Sequence, residues 1–268
     1  MSKKPKMLVM SDDEYNKLNG YRSTDFKEIA KYGLYDHLYP PARIDKPAFA
    51  FGSMFHCMVL EPEKFDAQYA PMFESDLNKN TNLYKEQKAE FEKANAGKEI
   101  VSREDYDLAS NMRDTVMLRY GNILEKSVRE IVMTHTTDDG IALKAKIDCF
   151  SEEYGLIFDL KSTGDSIDRN NTQWNSEKFL YQLQAAFYET VVHGNGINTN
   201  QFAFLFASKA DYRALMYRAD GFFMERGRDK LAEIYAKVLK YKTDGVIDDA
   251  VMDLSVPAAV LNREQGAA

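Results

Sequence analysis

The 268-residue chain is poor in the residues that cross-link a protein or anchor it in a membrane. Its two cysteines, Cys57 and Cys149, provide no disulfide framework and too few thiolates for a four-cysteine zinc or iron–sulfur site. No apolar run is long enough to span a membrane, and the KMLVM segment near the start is too short for a signal peptide. A net charge of −7 excludes a protein that coats nucleic acid by bulk positive charge. We therefore expect a cytoplasmic protein that contacts any acidic ligand through a local basic lining.

The composition otherwise predicts one well-packed domain. Hydrophobic residues make up 44% of the chain, and 16 phenylalanines and 16 tyrosines can fill a large core. Neither repeats nor a low-complexity linker divide the sequence. We expect a single domain over residues 1–268 with its core at about 21–242. Residues 75–120 are predicted to form a peripheral, charged helical arm, and residues 254–268 a loose tail.

The most informative segment is KAKIDCFSEEYGLIFDLKST, in which ten residues separate Asp148 from Asp159 and Lys161 follows two places later. Alternation over residues 141–150 predicts a strand. One face of this strand is predicted to carry Leu143, Ala145, Ile147 and Cys149, and the other face Lys144, Lys146 and Asp148. Residues 156–161 repeat the pattern, with Asp159 and Lys161 opposite the apolar side chains.

A hairpin of these two strands can bring two carboxylates and one ammonium group together on one sheet surface. Neighbouring carboxylates repel unless a proton or a cation lies between them, and oxygen ligands suit magnesium or manganese. The spacing therefore indicates a metal-dependent site that cleaves phosphodiesters, with Lys144 and Lys146 holding the nucleic-acid backbone nearby. The alternative interpretation is that these charged residues are only the solvated face of a strand.

Two further segments carry candidate residues. In GSMFHCMVLEPEKF, His56 lies on a predicted short helix that Gly52 and Ser53 open, where small residues permit close approach of a phosphate. In the helix predicted for SEKFLYQLQAAFYETVVHG, Gln184 and Tyr188 lie on one stripe. A structural or merely exposed histidine and a polar surface glutamine are the alternatives.

Taken in order, G-S-x-x-H, L-E-P-E-x-F, D-x10-D-x-K and Q-x-x-x-Y resemble the PD-(D/E)XK nuclease superfamily. Within it, the chain resembles the RecE-like exonucleases (exonuclease VIII type) of phages and prophages. The segment YRSTDFKEIAKYGLYDH is similar to the S-S-S-x-L-K segment of that family. The resemblance covers residues 21–220. It implies an α/β fold with a restriction-endonuclease-like core, in which helices flank a central mixed β-sheet and further helices decorate it.

The resemblance also implies roles for the matching positions. The implied metal ligands are His56, Asp148, Asp159 and the backbone carbonyl of Leu160. The implied catalytic residues are Asp148, Asp159, Lys161, Gln184 and Tyr188. Lys161 would orient the attacking water or stabilise charge on the phosphate, and the Gln184–Tyr188 pair would position DNA or that lysine. The cofactor would be Mg²⁺, with Mn²⁺ as a substitute. Asp159 stands where many relatives carry glutamate.

An enzyme that starts at DNA ends also needs residues that hold a terminal phosphate. Arg22 and Ser23, near the start of the first predicted helix, are candidates, as is Ser53 on the second. A simple helix cap is the alternative for Ser23. Trp174 could stack on bases, although a lone tryptophan is more often part of the core.

The resemblance implies a Mg²⁺-dependent deoxyribonuclease that degrades linear double-stranded DNA from its ends, in the 5′→3′ direction, leaving 3′ single strands for recombination. It further implies a ring-shaped homo-oligomer, a single-strand annealing partner of RecT type, and a phage or prophage gene expressed in the bacterial cytoplasm. Two alternatives remain open. One is a structure-specific or single-strand endonuclease on the same fold, and the other is a catalytically silent protein that binds DNA ends as a scaffold.

Overall fold

The computed structural model of the protein describes residues 7–41 and 47–247. The helices in these ranges are α1 Asp12–Lys17, α2 Ser23–Tyr32, α3 Leu34–Leu38, α4 Pro47–Leu60, α5 Pro62–Gln68, α6 Asn82–Ala94, α7 Arg103–Glu125, α8 Arg169–Lys178, α9 Tyr181–Gly194 and α10 Gly221–Asp244. The strands are β1 Tyr69–Pro71, β2 Glu99–Val101, β3 Val128–Thr136, β4 Ala142–Ser151, β5 Leu156–Thr163, β6 Gln201–Ser208 and β7 Ala214–Arg218.

Five strands form one mixed sheet in the order β3-β4-β5-β6-β7. Neighbouring strands are antiparallel except β5 and β6, which are parallel and are connected through α8 and α9. Such a crossover is required because two parallel strands cannot be joined by a tight turn. Helices α2, α9 and α10 cover one face of the sheet, and α4 and α7 cover the other. This α/β architecture, a mixed sheet flanked by helices, confirms the predicted fold class.

The sheet is the middle layer between the two groups of helices, and its strand β6 is apolar on both faces. Phe202, Phe204 and Phe206 belong to the core on the α9 side. Ala203, Leu205 and Ala207 belong to the core on the α4 side. A strand that is covered by helices on both faces reads as a continuous apolar run rather than as an alternating one. Through its QFAFLFAS sequence, β6 therefore contributes side chains to the core on each face of the sheet.

The hairpin of β3 and β4 is irregular at one level. Ala145 and Ile147 pack on the α9 side as predicted, whereas Cys149 packs on the α4 side. The prediction that Cys149 shares a face with Ile147 is therefore wrong. The alternation changes beside Glu130, whose φ of 52° departs from strand geometry and interrupts the regular pleat.

Two predicted helix boundaries are also wrong. Helix α4 begins at Pro47, so Gly52 and Ser53 lie inside the helix and not at its N-terminus. Proline is favoured in the first turn because its missing N–H has no helical partner there. The helix predicted from Ser176 to Gly194 is broken, since α8 ends at Lys178 and Leu180 adopts a left-handed conformation with a φ of 53°.

The charged segment at 75–120 is not peripheral throughout. Helix α6 has no buried residue, which agrees with a peripheral arm. Helix α7, in contrast, buries Ala109, Met112 and Val116 in the core against α4. Its sequence is rich in charged residues but carries an apolar stripe along one face. The second half of the predicted arm is therefore a core helix. The predicted loose tail at 254–268 lies outside the described residues.

The segment before α2 crosses the β3–β4 hairpin. Leu8 exchanges two backbone hydrogen bonds with Val132 at the outer edge of β3, with N···O distances of 3.0 and 2.8 Å. Tyr21 forms backbone hydrogen bonds with Ala142 and Lys144 on β4. Helix α1 therefore lies across one face of the hairpin. No helix within residues 7–41 and 47–247 is both long and apolar enough to cross a membrane.

Helices α9 and α10 cross closely at Gly227, which gives the first prediction. A Cβ atom at this position would overlap the backbone carbonyl of Gln182. We expect Gly227→Ala to lower the free energy of unfolding by about 1–3 kcal/mol, because backbone atoms cannot move aside as a flexible side chain can. Urea denaturation measures this difference.

The matched control is Gly221→Ala, at the first residue of the same helix, where an added Cβ meets no atom within 4 Å. This variant should unfold at the same urea concentration as the wild type or at a slightly higher one. Equal stability of the two variants would show that the helices do not cross as closely as described.

Candidate metal and phosphodiester site

The site lies where β4 and β5 separate. Their ladder pairs Cys149 with Phe158 and extends only toward the turn, so beyond this pair the two strands diverge. The Leu160 N–H donates to Asp148 Oδ2 across the gap, with an N···O distance of 2.8 Å. The carboxylate therefore replaces the backbone partner that Leu160 would have in a continuous sheet. This bond fixes Asp148 beside the next acidic residue, Asp159, on β5.

Asp159 is the most buried carboxylate of the site, with 2% of its surface exposed. Its Oδ1 accepts a hydrogen bond from Gln184 Nε2 at 2.6 Å. Its Oδ2 lies 2.6 Å from Lys161 Nζ and accepts no other hydrogen bond from the described residues. The sequence-predicted Asp148, Asp159, Lys161 and Gln184 thus come together in one place.

His56 approaches from α4. Its Nδ1 lies 3.5 Å from Asp148 Oδ2, and its imidazole makes a hydrogen bond with the Leu160 backbone. Burial and, second, the nearby Lys161 ammonium lower the pKa of His56, so the ring is neutral near pH 7 and can offer a lone pair.

Glu130 on β3 was not predicted from the sequence. The pairs Arg129–Cys149 and Ile131–Ile147 place it across from Asp148. Ligand atoms of His56, Glu130 and Asp148 all lie within 4.8 Å of one another. A non-glycine residue with positive φ in a strand is strained, and such strain is concentrated at functional sites. The signal available in the sequence was an acidic residue within the largely apolar VREIVM segment. The sequence does not show the register of β3 against β4 that places this residue across from Asp148.

The electrostatics of this group favour a cation. Burial, followed by the charge of Asp159, raises the pKa of Asp148 to about 8, although Lys161 opposes the shift. Burial, followed by the charge of Asp148, raises the pKa of Glu130 to about 7, with Lys146 opposing. Both shifts show that the site resists several negative charges when no cation offsets them.

The donor set fits a divalent metal ion. Carboxylate oxygens from Asp148 and Glu130, together with the His56 imidazole, are ligands that magnesium and manganese accept. Asp159 lies outside this group, with its two carboxylate oxygens on Gln184 and Lys161, and its role as a metal ligand stays a prediction. The Leu160 backbone contacts His56, and its role as a further ligand stays a prediction. His56, Glu130 and Asp148 would hold the metal.

A second layer of side chains fixes the Gln184 amide. Lys27 Nζ donates to Gln184 Oε1 at 2.6 Å, so the amide nitrogen points to Asp159. The ammonium groups of Lys27 and Lys161 lie 5.0 and 5.1 Å from the Tyr181 ring centre. Burial and, second, Lys161 hold the pKa of Lys27 well below its usual value. Sequence reasoning missed Lys27, although it lies in the STDFK segment on which part of the resemblance rests.

Three of the predicted DNA contacts are engaged within the protein. Ser23 is buried and shares a hydrogen bond with Tyr188, which places the Q-x-x-x-Y tyrosine behind the site and not on its surface. Arg22 donates to Asp25, with an Nη2···Oδ1 distance of 2.9 Å. Lys144 is buried and donates to the last carbonyls of α1, at Tyr15, Asn16 and Leu18.

The other two predicted contacts remain at the surface. Lys146 forms ion pairs with Glu130 and Asp12, both at 2.6 Å. Its positive charge therefore balances these two carboxylates and is not free for a phosphate. Ser53 is exposed within α4, beyond the reach of that helix's N-terminal amides. Tyr188 and helix α1 thus occupy the polar groups of Ser23 and Lys144, and the roles of these residues in DNA binding stay predictions.

The raised pKa of Asp148 predicts how the stability of the metal-free protein depends on pH. The folded state holds the proton up to about pH 8, whereas an unfolded aspartate releases it near pH 4. Stability is therefore lost as the pH rises through this window. In EDTA, we expect Asp148→Asn to have a higher Tm than the wild type at pH 8, and a similar Tm at pH 5. Asp229→Asn, at an exposed position on α10, is the control. Equal pH profiles for wild type and Asp148→Asn would contradict the prediction.

Glu130 allows a separate test of metal binding. We expect Mn²⁺ to raise the Tm of the wild type, and Glu130→Gln to increase the Mn²⁺ concentration required by about tenfold or more. Glu61→Gln removes a nearby carboxylate that pairs with Lys64 at 2.9 Å and is the matched control. If Glu130→Gln responds to Mn²⁺ like the control, Glu130 only balances the charge of Lys146.

The chain matches the family described as "PDDEXK-like domain of unknown function (DUF3799)" over residues 25–248. No curated protein matches it. Among solved structures, a candidate exonuclease from Eubacterium rectale has a TM-score of 0.61 at 13% identity, with 95% of this chain and 98% of that chain covered. Identity this low shows a shared fold alone.

A phage-related exonuclease from Haemophilus somnus 129PT aligns with 86% of this chain and 100% of its own at 12% identity. Its TM-score of 0.34 carries no argument. The family match, in contrast, spans the sheet, its flanking helices and every residue of the acidic site. This chain therefore belongs to the PDDEXK-like family DUF3799.

Proposed function

We propose that this protein is a metal-dependent nuclease that hydrolyses phosphodiester bonds in DNA. The observation that carries the proposal is the pair of buried carboxylates, Asp148 and Asp159, beside the Lys161 ammonium where β4 and β5 separate. A purely structural role would not require two unbalanced acids in a buried position, because replacing them by neutral residues would remove their repulsion. Family membership supports the same chemistry.

A divalent cation supplies three effects to such a reaction: it lowers the pKa of water, neutralises phosphate charge and stabilises the leaving oxygen. The residues that would hold it are His56, Glu130, Asp148 and Asp159. Mg²⁺ is the proposed cofactor, with Mn²⁺ as a substitute, since most of the donors are oxygen atoms.

Lys161 contributes as a charged donor. Burial lowers its pKa, but the charge of Asp159 and contributions from Tyr181 and Asp148 raise the pKa above its usual value overall. The ammonium therefore stays protonated at neutral pH. It can donate to a phosphate oxygen or orient a water molecule, but it cannot accept the proton of that water. Its role is electrostatic stabilisation of charge that develops in the transition state.

Gln184 and Lys27 hold Asp159 and Lys161 in their relative positions. The Gln184 amide holds Asp159 Oδ1, which leaves Oδ2 directed at Lys161. Lys27 Nζ donates to the amide oxygen, which favours the orientation of the Gln184 amide that directs its nitrogen to Asp159. This chain of contacts leaves the carboxylate and the ammonium group in one fixed orientation toward substrate.

At a finer level, we propose an exonuclease of RecE-like type that acts on the ends of linear double-stranded DNA. The sequence resemblance supports this choice through the order of its four motifs. A 5′→3′ direction, a homo-oligomeric ring around DNA and collaboration with a single-strand annealing protein of RecT type belong to the same proposal. So does a role in recombination of phage or prophage DNA.

Two other functions are compatible with the fold. An endonuclease uses the same catalytic residues, because the core does not specify whether a DNA end is needed. A silent end-binding scaffold would be expected to have lost at least one of Asp148, Asp159 and Lys161, and all three are present, with Lys161 paired to Asp159.

The nuclease proposal is tested by incubating linear and covalently closed circular duplex DNA with the protein in Mg²⁺ or in EDTA. We expect the wild type to degrade only the linear duplex, and only in Mg²⁺. Asp159→Asn should abolish degradation, and Lys161→Met should slow it by about 100-fold or more because a transition-state donor is lost. Asp229→Asn, on the outer surface of α10, should degrade DNA at the wild-type rate.

The outcomes separate the three functions. Cleavage of the circle would identify an endonuclease. Binding of DNA ends in Ca²⁺ without cleavage in Mg²⁺ would identify the scaffold. Undiminished cleavage by Asp159→Asn, folded as judged by circular dichroism, would place the active site elsewhere.

A further inference from the structure

Two neighbouring cavities extend from the catalytic residues along the sheet. The first, of about 270 Å³, begins with Ser162 and Thr163, which directly follow Lys161 on β5, and is also lined by Tyr181 and Lys209. The second, of about 530 Å³, lies between α8, the β6–β7 edge and the start of α10. Thr172 and Phe206 line both cavities. The two cavities are therefore neighbours, and we refer to them together as the groove.

The second cavity combines aromatic surface with guanidinium groups. Phe204, Phe206, Tyr217, Phe222 and Phe223 line it, together with Arg169, Arg218 and Arg226. Phe204 and Phe206 are buried core residues, so the aromatic groups with exposed surface are Tyr217, Phe222 and Phe223. The Phe222 side chain is 68% exposed, although it is large and apolar. Arg226 lies 5.9 Å from the centre of the Phe222 ring. In a chain with a net charge of −7, three arginines in one cavity are a local exception.

Of the three arginines that line this cavity, only Arg226 forms an ion pair with an acidic residue of the described part of the chain. Glu177 already accepts hydrogen bonds from Arg226 at 2.8 Å and from Gln182 at 3.1 Å. Asp220 accepts the Phe223 N–H as the N-cap of α10. No carboxylate of the described residues lies within ion-pair distance of Arg169 or Arg218. The cavity therefore presents free guanidinium groups to an anion.

An independent observation comes from the boundary between the cavities. Thr172 is 5% exposed, lines both of them, and its Oγ1 has no hydrogen-bond partner in the part of the chain that the structure describes. A buried hydroxyl without a partner is costly, so such a group in a binding groove is a candidate contact for a ligand.

We propose that this groove, defined by its two cavities, binds a single strand of DNA next to the catalytic site. The inference rests on the proposed nuclease function and extends it to the path of one strand. Aromatic side chains stack on unpaired bases and arginines hold the backbone phosphates, which is the combination that binds single-stranded nucleic acid. A base-paired duplex keeps its base faces stacked inside and cannot use the aromatic surface. Trp174 on α8 is 69% exposed but lines neither cavity.

The direct test is binding of a fluorescently labelled oligothymidylate, roughly 12 nucleotides long, measured by anisotropy in EDTA so that no cleavage occurs. We expect the wild type to bind it, and Phe222→Ala and Arg226→Gln to weaken binding by about tenfold each. Arg228→Gln is the matched control. Both arginines lie on α10, both pair with a glutamate, and their side chains are 49% and 51% exposed. Leu118→Ala, an exposed apolar position on α7, is the control for Phe222→Ala.

A second assay keeps this inference separate from the proposed function. Hydrolysis of bis-p-nitrophenyl phosphate in Mn²⁺ reports on the catalytic residues without requiring the groove. We expect Phe222→Ala and Arg226→Gln to hydrolyse this compound at the wild-type rate while losing affinity for the oligonucleotide. If the wild type binds the oligonucleotide but hydrolyses neither DNA nor this diester, the groove stands and the nuclease proposal fails.

Three results would overturn the groove itself. The first is wild-type affinity for the oligonucleotide in both groove variants, and the second is no binding by the wild type. The third is a change of sedimentation coefficient in Phe222→Ala with unchanged oligonucleotide affinity, which would assign the aromatic surface to contacts between copies of the chain.

Discussion

Burying the carboxylates of Asp148 and Asp159 near each other is the constraint on which the rest of the site depends. Each buried charge needs partners, and the protein provides them from three directions. The Leu160 N–H serves Asp148, while Gln184 and Lys161 serve Asp159. These partners do not offset the burial of Asp148 and, second, the charge of Asp159, which together raise the pKa of Asp148 to about 8. The remaining imbalance is what a divalent cation would offset, so the same feature that costs stability provides the binding site.

Two of the three non-glycine residues with positive φ in the described part of the chain lie near this site, and the third, Tyr212, lies between β6 and β7. Glu130 has positive φ beside Asp148, and Leu180 has positive φ between α8 and α9. Each such conformation costs on the order of 1–3 kcal/mol. The bend at Leu180 starts a new helix whose first residues carry Tyr181 and Gln184 to the two lysines. Apolar cores on both faces of the sheet hold these strained positions in place.

The distribution of basic residues follows from the same arrangement. Lysines on β4 that could face a nucleic acid are instead covered by α1 or paired with acids. Uncompensated guanidinium groups lie on the other side of the catalytic residues, between α8 and α10. An acidic protein can in this way keep one local basic path, because charges separated by about 10 Å or more in physiological salt hardly interact.

The sequence by itself determined the strands at 141–150 and 156–161 through period-two alternation, and it placed Asp148, Asp159 and Lys161 in one hypothesis through their spacing. The α/β class and the choice of Gln184 came from the resemblance of its motifs to a known family. The sequence did not determine Glu130, Lys27 or the covered state of Lys144. Those depend on the register of β3 against β4, on the packing of α2 against α9 and on α1 crossing the hairpin. Only tertiary structure decided them, because contacts between residues that are distant in the chain leave no periodic signal in it.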